Sequence, residues 1–350
     1  MYRKNGENYF VVDSHMHYWN AAPDNWVPGA ERYAKGWIEC FYGYHKLGPP
    51  ETLWPFEKYQ KYSEDDLMKD VFEDGHVDVA VFQPTYLKEW YKEGFNTTER
   101  NATMGEKHPG KFVYNTRWDP RDGDDGLKEL RRNVERYGSR GVKLYTAEWR
   151  QGSRGWKLSD PEAYRYLEAC EELGIKNIHV HKGPTIWPLD KDAFDMADVD
   201  HAATDFQGLN FIVEHVGLPR IDDFCYMATQ EPNVYAGCAV AIGALMHARP
   251  QFFARVMGEL LFWVGEDKMT FGSDYAIWEP RWQVEGFVDW NYPDREEFSD
   301  YPAVTTATKK KVLGLNAAKL YDIEVPPECR LEPEEGTPAA RDAAQAVEGT

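Results

Sequence analysis

The feature that most restricts what this chain can fold into is a rhythm. Short β-rich runs recur at residues 10–12, 77–83, 111–117, 141–145, 177–181, 210–215, 234–240 and 269–272. After the first gap they begin roughly 25–35 residues apart, the length of one strand–helix unit. The segments between them carry helical periodicity. Leu127, Leu130, Val134 and Tyr137 make one apolar stripe, and Ala163, Tyr166, Leu167 and Cys170 make another. Asp160-Pro161 suits the start of that second helix and Gly174 its end. Phe253, Val256, Met257, Leu260 and Leu261 suit a helix before the eighth strand. Eight strands alternating with helices fit a closed barrel or an open doubly wound sheet. The length of 350 residues, the strand count and the lack of a Gly-rich dinucleotide loop favour an α/β chain folded as a (β/α)8 TIM barrel.

Two connections are too long for plain loops. Residues 18–62 hold Trp19, Trp26, Trp37 and Trp54 among many aromatics, and residues 276–303 hold Trp278, Trp282 and Trp290. Both follow the C-terminal end of a strand, first and eighth, where barrel loops build active sites. They read equally well as a substrate lid or as a buried subunit interface. Residues 1–323 read as a single barrel. Residues 324–350, rich in Pro, Glu and Ala, read as an extended or disordered tail, with the option of an arm on a neighbouring subunit.

Composition excludes several classes. With 40 basic and 59 acidic residues the net charge is −19, and no basic footprint for nucleic acid is present. No run approaches the roughly 18 apolar residues that span a bilayer. The polar start of the chain lacks the core of a secretory signal. Five scattered cysteines without a CxxC pair read as reduced thiols, which points to the cytoplasm.

The sharpest local signal is Val11-Val12-Asp13-Ser14-His15-Met16-His17 at the end of the first strand. In an extended chain Asp13, His15 and His17 share one face. Two imidazoles there can grip one metal ion. Later strands repeat the theme in Ile178-His179-Val180-His181-Lys182-Gly183, in Ile212-Val213-Glu214-His215-Val216-Gly217 and in Phe271-Gly272-Ser273-Asp274-Tyr275. A closed barrel brings these strand ends to one mouth. Of 10 histidines, four or five land there.

The pattern DxHxH, HxG after strand five, HxG after strand six and GSD after strand eight resembles the amidohydrolase superfamily. More narrowly it resembles the amidohydrolase-related branch that includes aminocarboxymuconate-semialdehyde decarboxylase and related aromatic-acid decarboxylases. The resemblance runs from about Phe10 to Ile323. It implies that His15, His17, His181 and Asp274 are metal ligands. His215 is then a ligand to a second metal or an acid/base group. Imidazole plus carboxylate suits Zn²⁺, Mn²⁺ or Fe²⁺, as one ion or two. Asp274 can ligate and also accept a proton.

Other residues divide between roles. Lys143, in Gly141-Val142-Lys143-Leu144-Tyr145, turns inward if Val142 and Leu144 face the helices. Many dinuclear amidohydrolases carry a carbamylated lysine on strand four. The alternative for Lys143 is binding a substrate carboxylate or pairing with Asp274. Glu148 is another candidate bridge or a plain loop carboxylate. His179 lies one layer deeper than His181 and reads as a supporting or core histidine. Arg117 with Asp119 ends strand three, where Arg117 binds a substrate carboxylate or forms a structural ion pair. His45 reads as a pocket or surface residue, and Tyr275 and Trp278 as pocket walls. His76, His108, His201 and His247 read as structural or exposed. HExxH, GxSxG and phosphate-loop motifs are absent.

The functional expectation is a metal-dependent hydrolase or non-oxidative decarboxylase acting on a small carboxylated or carbonyl substrate through activated water. The same ligands also suit an iron- or manganese-dependent oxygenase, or an oxygenase-associated subunit. A non-catalytic assembly partner has no need of four converging histidines. Homo-oligomers, or hetero-oligomers with a related subunit, are expected, without nucleic-acid or membrane partners.

Overall fold

The computed structural model describes residues 1–150 and 154–331. The chain opens with a small antiparallel hairpin, β1 (Tyr2–Lys4) and β2 (Glu7–Tyr9). Its turn, Asn5-Gly6, has positive φ at both residues (52° and 83°). That is the backbone a two-residue hairpin loop needs to follow strand twist.

Eight parallel strands follow: β3 (Val12–Met16), β4 (Val79–Phe82), β5 (Phe112–Thr116), β6 (Gly141–Leu144), β7 (Asn177–His181), β8 (Asn210–Glu214), β9 (Val234–Gly237) and β10 (Met269–Thr270). Each pairs with the next in chain order. The ring closes through the backbone just past β10. Ser14 N–H donates to the Phe271 carbonyl (3.0 Å), Asp274 N–H to His15 (2.9 Å) and His17 N–H to Tyr275 (2.6 Å). The eight-stranded barrel expected from the rhythm is the fold observed. β7 has the expected bounds. β3 starts two residues later than expected and runs through the histidine motif, while β10 is only two residues long.

The helices sit where their stripes predict, at Gly123–Tyr137, Pro161–Glu172 and Pro250–Trp263. Their apolar faces are buried on the outside of the barrel, as for Leu130, Leu167 and Val256. Asp160 occupies the N-cap position, but its carboxylate accepts from the Lys157 N–H rather than from the helix.

The two long connections are folded. Residues 18–62 contain the helices Glu31–His45 and Phe56–Gln60, and residues 276–303 contain Pro280–Asp289. Trp19 and Trp37 are fully buried, and Trp19 stacks on Phe95 at 5.3 Å. At the opposite end Phe10, Val12, Val81, Ala317, Ala318, Tyr321 and Cys329 form a separate apolar cluster that closes the barrel bottom. The first residues of the expected tail thus pack on the barrel: Pro327–Cys329 is a 3-10 turn and Cys329 is buried. The rest of that segment, 332–350, lies outside the described residues. All five cysteines are free. Among the described residues no helix is long and apolar enough to cross a membrane.

Candidate metal centre

The His-x-His motif sits on β3, but not in ideal alternation. β3 pairs Asp13 with Ala80 and Met16 with Phe82, so it fits one more residue into this stretch than β4 does. Such a bulge swings one side chain off its face. The irregularity lies between Asp13, still paired with Ala80, and Met16. The Asp13 carboxylate accepts from the Ser273 N–H (2.9 Å), the Ser273 hydroxyl and the His15 N–H (3.2 Å). It therefore staples the first strand to the last instead of facing a metal. Burial pushes its carboxyl up to about 7, against those hydrogen bonds.

His15, His17 and Asp274 do converge. Their ligating atoms all lie within 4.8 Å of one another. His15 Nε2 is 3.2 Å from His17 Nε2, which is 3.2 Å from Asp274 Oδ1. The outer nitrogens have acceptors beside them. His17 Nδ1 lies 2.7 Å from the Gln83 carbonyl, and His15 Nδ1 lies 2.7 Å from Glu214 Oε2. A carbonyl can only accept, so the His17 Nδ1 carries the proton and its Nε2 presents a lone pair. The His15 Nδ1 sits at ion-pair distance from Glu214, outside hydrogen-bond geometry, and its neutral ring keeps a lone pair. Three electron-rich atoms then face one another in a buried space. A divalent cation resolves that conflict, and the donor set fits one.

Glu214 was missed in the sequence, although it immediately precedes His215. It contacts His15 through one oxygen and His179 Nδ1 through the other, at 2.5 Å. Burial alone would raise its carboxyl, but His15, Lys143 and His179 outweigh burial and hold it well below the usual range. The signal was its position: Glu214 ends its strand after the apolar Phe211, Ile212 and Val213, just before His215, where a buried charge needs partners. His179 is the supporting histidine expected, with Tyr321 Oη 2.6 Å from its Nε2.

His181 and His215 form an adjacent pair. His215 Nε2 is 3.1 Å from His181 Nδ1, whose ring stacks on Tyr145 at 4.3 Å. His181 Nε2 is 3.3 Å from the Tyr145 hydroxyl. His215 Nδ1 is 3.9 Å from Asp274 Oδ2, so the pair adjoins the cluster through that carboxylate. Burial pushes His15 down to about 3 and lowers His181 and His215 as well, leaving neutral rings with lone pairs at neutral pH. Burial opposes the charge on Asp274, but His17, His15 and His215 around it hold it ionised.

Local backbone explains why these motifs carry glycine. A Cβ at Gly183 would meet His215 Cβ at 2.2 Å, and one at Gly272 would meet His15 Cβ at 2.6 Å. His215 and Asp274 themselves adopt positive φ (67° and 58°), as do Val216 and Val240 (45° and 71°). Left-handed backbone at a non-glycine residue costs about 1–3 kcal/mol and gathers at functional sites.

The centre forms one end of a cavity of about 160 Å³. Its walls are mostly apolar, with Phe41, Phe95, Ile186, Leu218, Ile277 and Trp278 prominent. Lys143 lines it too, buried, with no hydrogen-bond partner for Nζ among the described residues. Burial lowers this amine to about 8, against the pull of Glu214 and Asp274.

The remaining candidates fall elsewhere. Arg117 is not among the cavity-lining residues. It sits over the Tyr86 ring and lies 3.9 Å from Glu148 and 3.8 Å from Asp122, the structural ion-pair arrangement. Glu148 also accepts from the Leu87 N–H, away from the metal cluster. His45 is held by backbone at both nitrogens, by Ile277 carbonyl (2.6 Å) and Trp54 N–H (2.8 Å). Tyr275 packs behind the wall, donating to Asp70 at 3.2 Å, while Trp278 does line the cavity.

The sequence profile of the amidohydrolase family matches residues 12–323. No curated protein matches the chain. Similar solved structures include an uncharacterised TIM-barrel protein from Bordetella bronchiseptica, 17% identical, covering 89% of this chain and 98% of its own, with a TM-score of 0.63. Another is 2,6-dihydroxybenzoate decarboxylase from Rhizobium, at 14% identity, 90% and 99% coverage and a TM-score of 0.58. A third is 5-carboxyvanillate decarboxylase from Novosphingobium aromaticivorans, solved with manganese and 3-methoxy-4-hydroxy-5-nitrobenzoic acid. It is 14% identical, with 90% and 97% coverage and a TM-score of 0.56. At these identities the likeness is one of fold.

Proposed function

Because the chain belongs to the amidohydrolase family and is an enzyme of that type, we propose that it catalyses non-oxidative decarboxylation of a compact, one-ring aromatic acid at the centre built from His15, His17 and Asp274. The observation that carries this reading is the cavity. At about 160 Å³ it matches the size of an engineered pocket, roughly 150 Å³, that holds benzene. Its largely apolar lining favours a flat ring over an extended polar chain. The decarboxylases that share this fold act on such rings.

A divalent ion held by His15, His17 and Asp274 supplies Lewis-acid polarisation of a substrate oxygen. The protein supplies the rest. Glu214 and Gln83 orient the two imidazoles. The apolar walls strip water from the substrate carboxylate, which favours its departure as neutral CO2. The bond broken is ring carbon to carboxyl carbon, and its electron pair takes up a proton at the ring. His215, which lines the cavity, delivers that proton and regains it from solvent, and Asp274 3.9 Å away favours its cationic form. His181 shares its proton with His215 in this reading and joins the metal only by turning from it.

A second reading, hydrolysis of a carbonyl compound, is favoured by that same ionised Asp274 beside His215, which suits a base for water. Anaerobic incubation of the metal-loaded protein with one-ring aromatic acids separates the readings. Stoichiometric CO2 without O2 uptake, lost in His15→Ala, is expected. Consumption of aromatic esters or lactones with no CO2 from any acid would replace decarboxylation by hydrolysis, and turnover that requires O2 would replace both by oxygenation. Metal analysis of anaerobically purified protein, expected to find Zn²⁺, Mn²⁺ or Fe²⁺, identifies the ion.

A further inference from the structure

The cavity has a second polar feature, remote in sequence from the histidine motifs. Arg249 lines it from the segment between β9 and the helix Pro250–Trp263. The residue is exposed, so it marks the mouth, beside the exposed Leu47. Its guanidinium lies 4.7 Å from the centre of the Phe252 ring. Among the described residues it has no carboxylate or other hydrogen-bond partner for its side chain. Some exposed arginines find an acid, as Arg131, Arg165 and Arg255 do, and others rest on an aromatic ring, as Arg32, Arg136 and Arg154 do. What sets Arg249 apart among the described residues is that it lines the cavity.

The donor count of the cavity points the same way. Lys143 Nζ and Trp278 Nε1 are buried on lining residues and also lack partners among the described residues. A buried donor left unpaired costs about 1–3 kcal/mol, so the arrangement anticipates a ligand rich in acceptors. The net charge of −19 repels anions at long range, which gives a cation lining the cavity a large share in drawing one in. Arginine, 4.7 Å from the centre of the Phe252 ring, presents a fork that fits a carboxylate bidentately.

We propose that Arg249 is a specificity-determining residue that binds a second anionic group, a carboxylate, at the outer end of the substrate. Resting on the function proposed above, this makes the substrate an aromatic acid with two acidic ends, one facing the histidine–aspartate centre and one at the mouth. Simple benzoate fills only the inner half of the recognition.

The test measures binding of benzoate, isophthalate and terephthalate to the metal-loaded full-length protein by calorimetry. At least one dicarboxylate is expected to bind about tenfold or more tightly than benzoate, the worth of one charge-assisted contact. Arg249→Gln should erase that preference, and Arg249→Lys should restore part of it. Thermal melting confirms that the exposed substitution leaves the fold intact. Equal affinities, no binding of any of the three acids, or a preference that survives in Arg249→Gln overturns the proposal. Metal content measured on the same wild-type sample judges the centre separately. A chain that binds no ion there sinks the proposed function, whereas a metal-loaded chain without the preference sinks only the role of Arg249.

Discussion

At the bottom of the barrel Phe10, Val12, Val81, Ala317 and Ala318 pack into one apolar cluster, and the polar tip of Tyr321 within it is matched. Tyr321 accepts from Asn115 at 2.8 Å and meets His179 at 2.6 Å. The mouth is different. There His215, Val240 and Asp274 hold left-handed backbone, and Lys143 and Trp278 carry unpartnered donors. Both ends are made from the same strands. Left-handed backbone occurs at the bottom too, at His76 before β4 and at Asp322 beside Tyr321, so the contrast lies in the unpartnered donors that line the cavity at the mouth.

Substitutions can break or sharpen this contrast. The largest effect is expected at the mouth: Asp274→Ala should reduce turnover by about 10³-fold or more, the scale of losing several kcal/mol of charge stabilisation. Its melting temperature should stay close to that of the metal-free wild type, since the change removes a buried charge while alanine keeps the left-handed backbone at φ 58°. A melting temperature well below it would erase the distinction between the ends. Next comes Glu214→Gln, which keeps shape but weakens the hold on His15. Metal affinity should fall by about 10–100-fold in a competition titration, and an unchanged affinity would remove Glu214 from the centre.

Chelation should destabilise the wild type by about 2.7 kcal/mol if the ion was present at 100 times its dissociation constant. Asp274→Ala should show little of this shift in the same melting experiment. The smallest effect belongs to the bottom. Tyr321→Phe leaves His179 and Asn115 short of a partner and should cost about 1–3 kcal/mol in chemical denaturation, with turnover per folded molecule nearly kept. Loss of turnover without loss of stability would show that the two ends are coupled through His179 and Glu214.

The barrel was legible because its signal is redundant. Eight strands and their helices repeat one pattern, so trimmed ends at β3 and β10 do not alter the topology. The convergence of His15, His17 and Asp274 was legible because alternation and strand-end position are local properties. What local reasoning missed depends on partners distant in sequence. Asp13 binds Ser273, 260 residues on, and the register of β3 shifts after it, and no pattern within seven residues announces either. His45 reads from the sequence as a pocket or a surface residue, but the fold buries it with the backbone of Ile277 and Trp54 at its two nitrogens. Arg117 and Arg249 are alike as letters. Only the fold gives one its acids and leaves the other facing the cavity.

The seam joining β3 to the backbone past β10 has a consequence for biosynthesis. His17 and Asp274 lie 257 residues apart in the chain. At translation speeds of about 5–20 residues per second, roughly 10–50 s separate the emergence of the imidazoles from that of the carboxylate. Throughout that interval the nascent protein offers a two-nitrogen chelate without its anionic third donor, so tight capture of an ion waits until the ribosome has delivered the last strand.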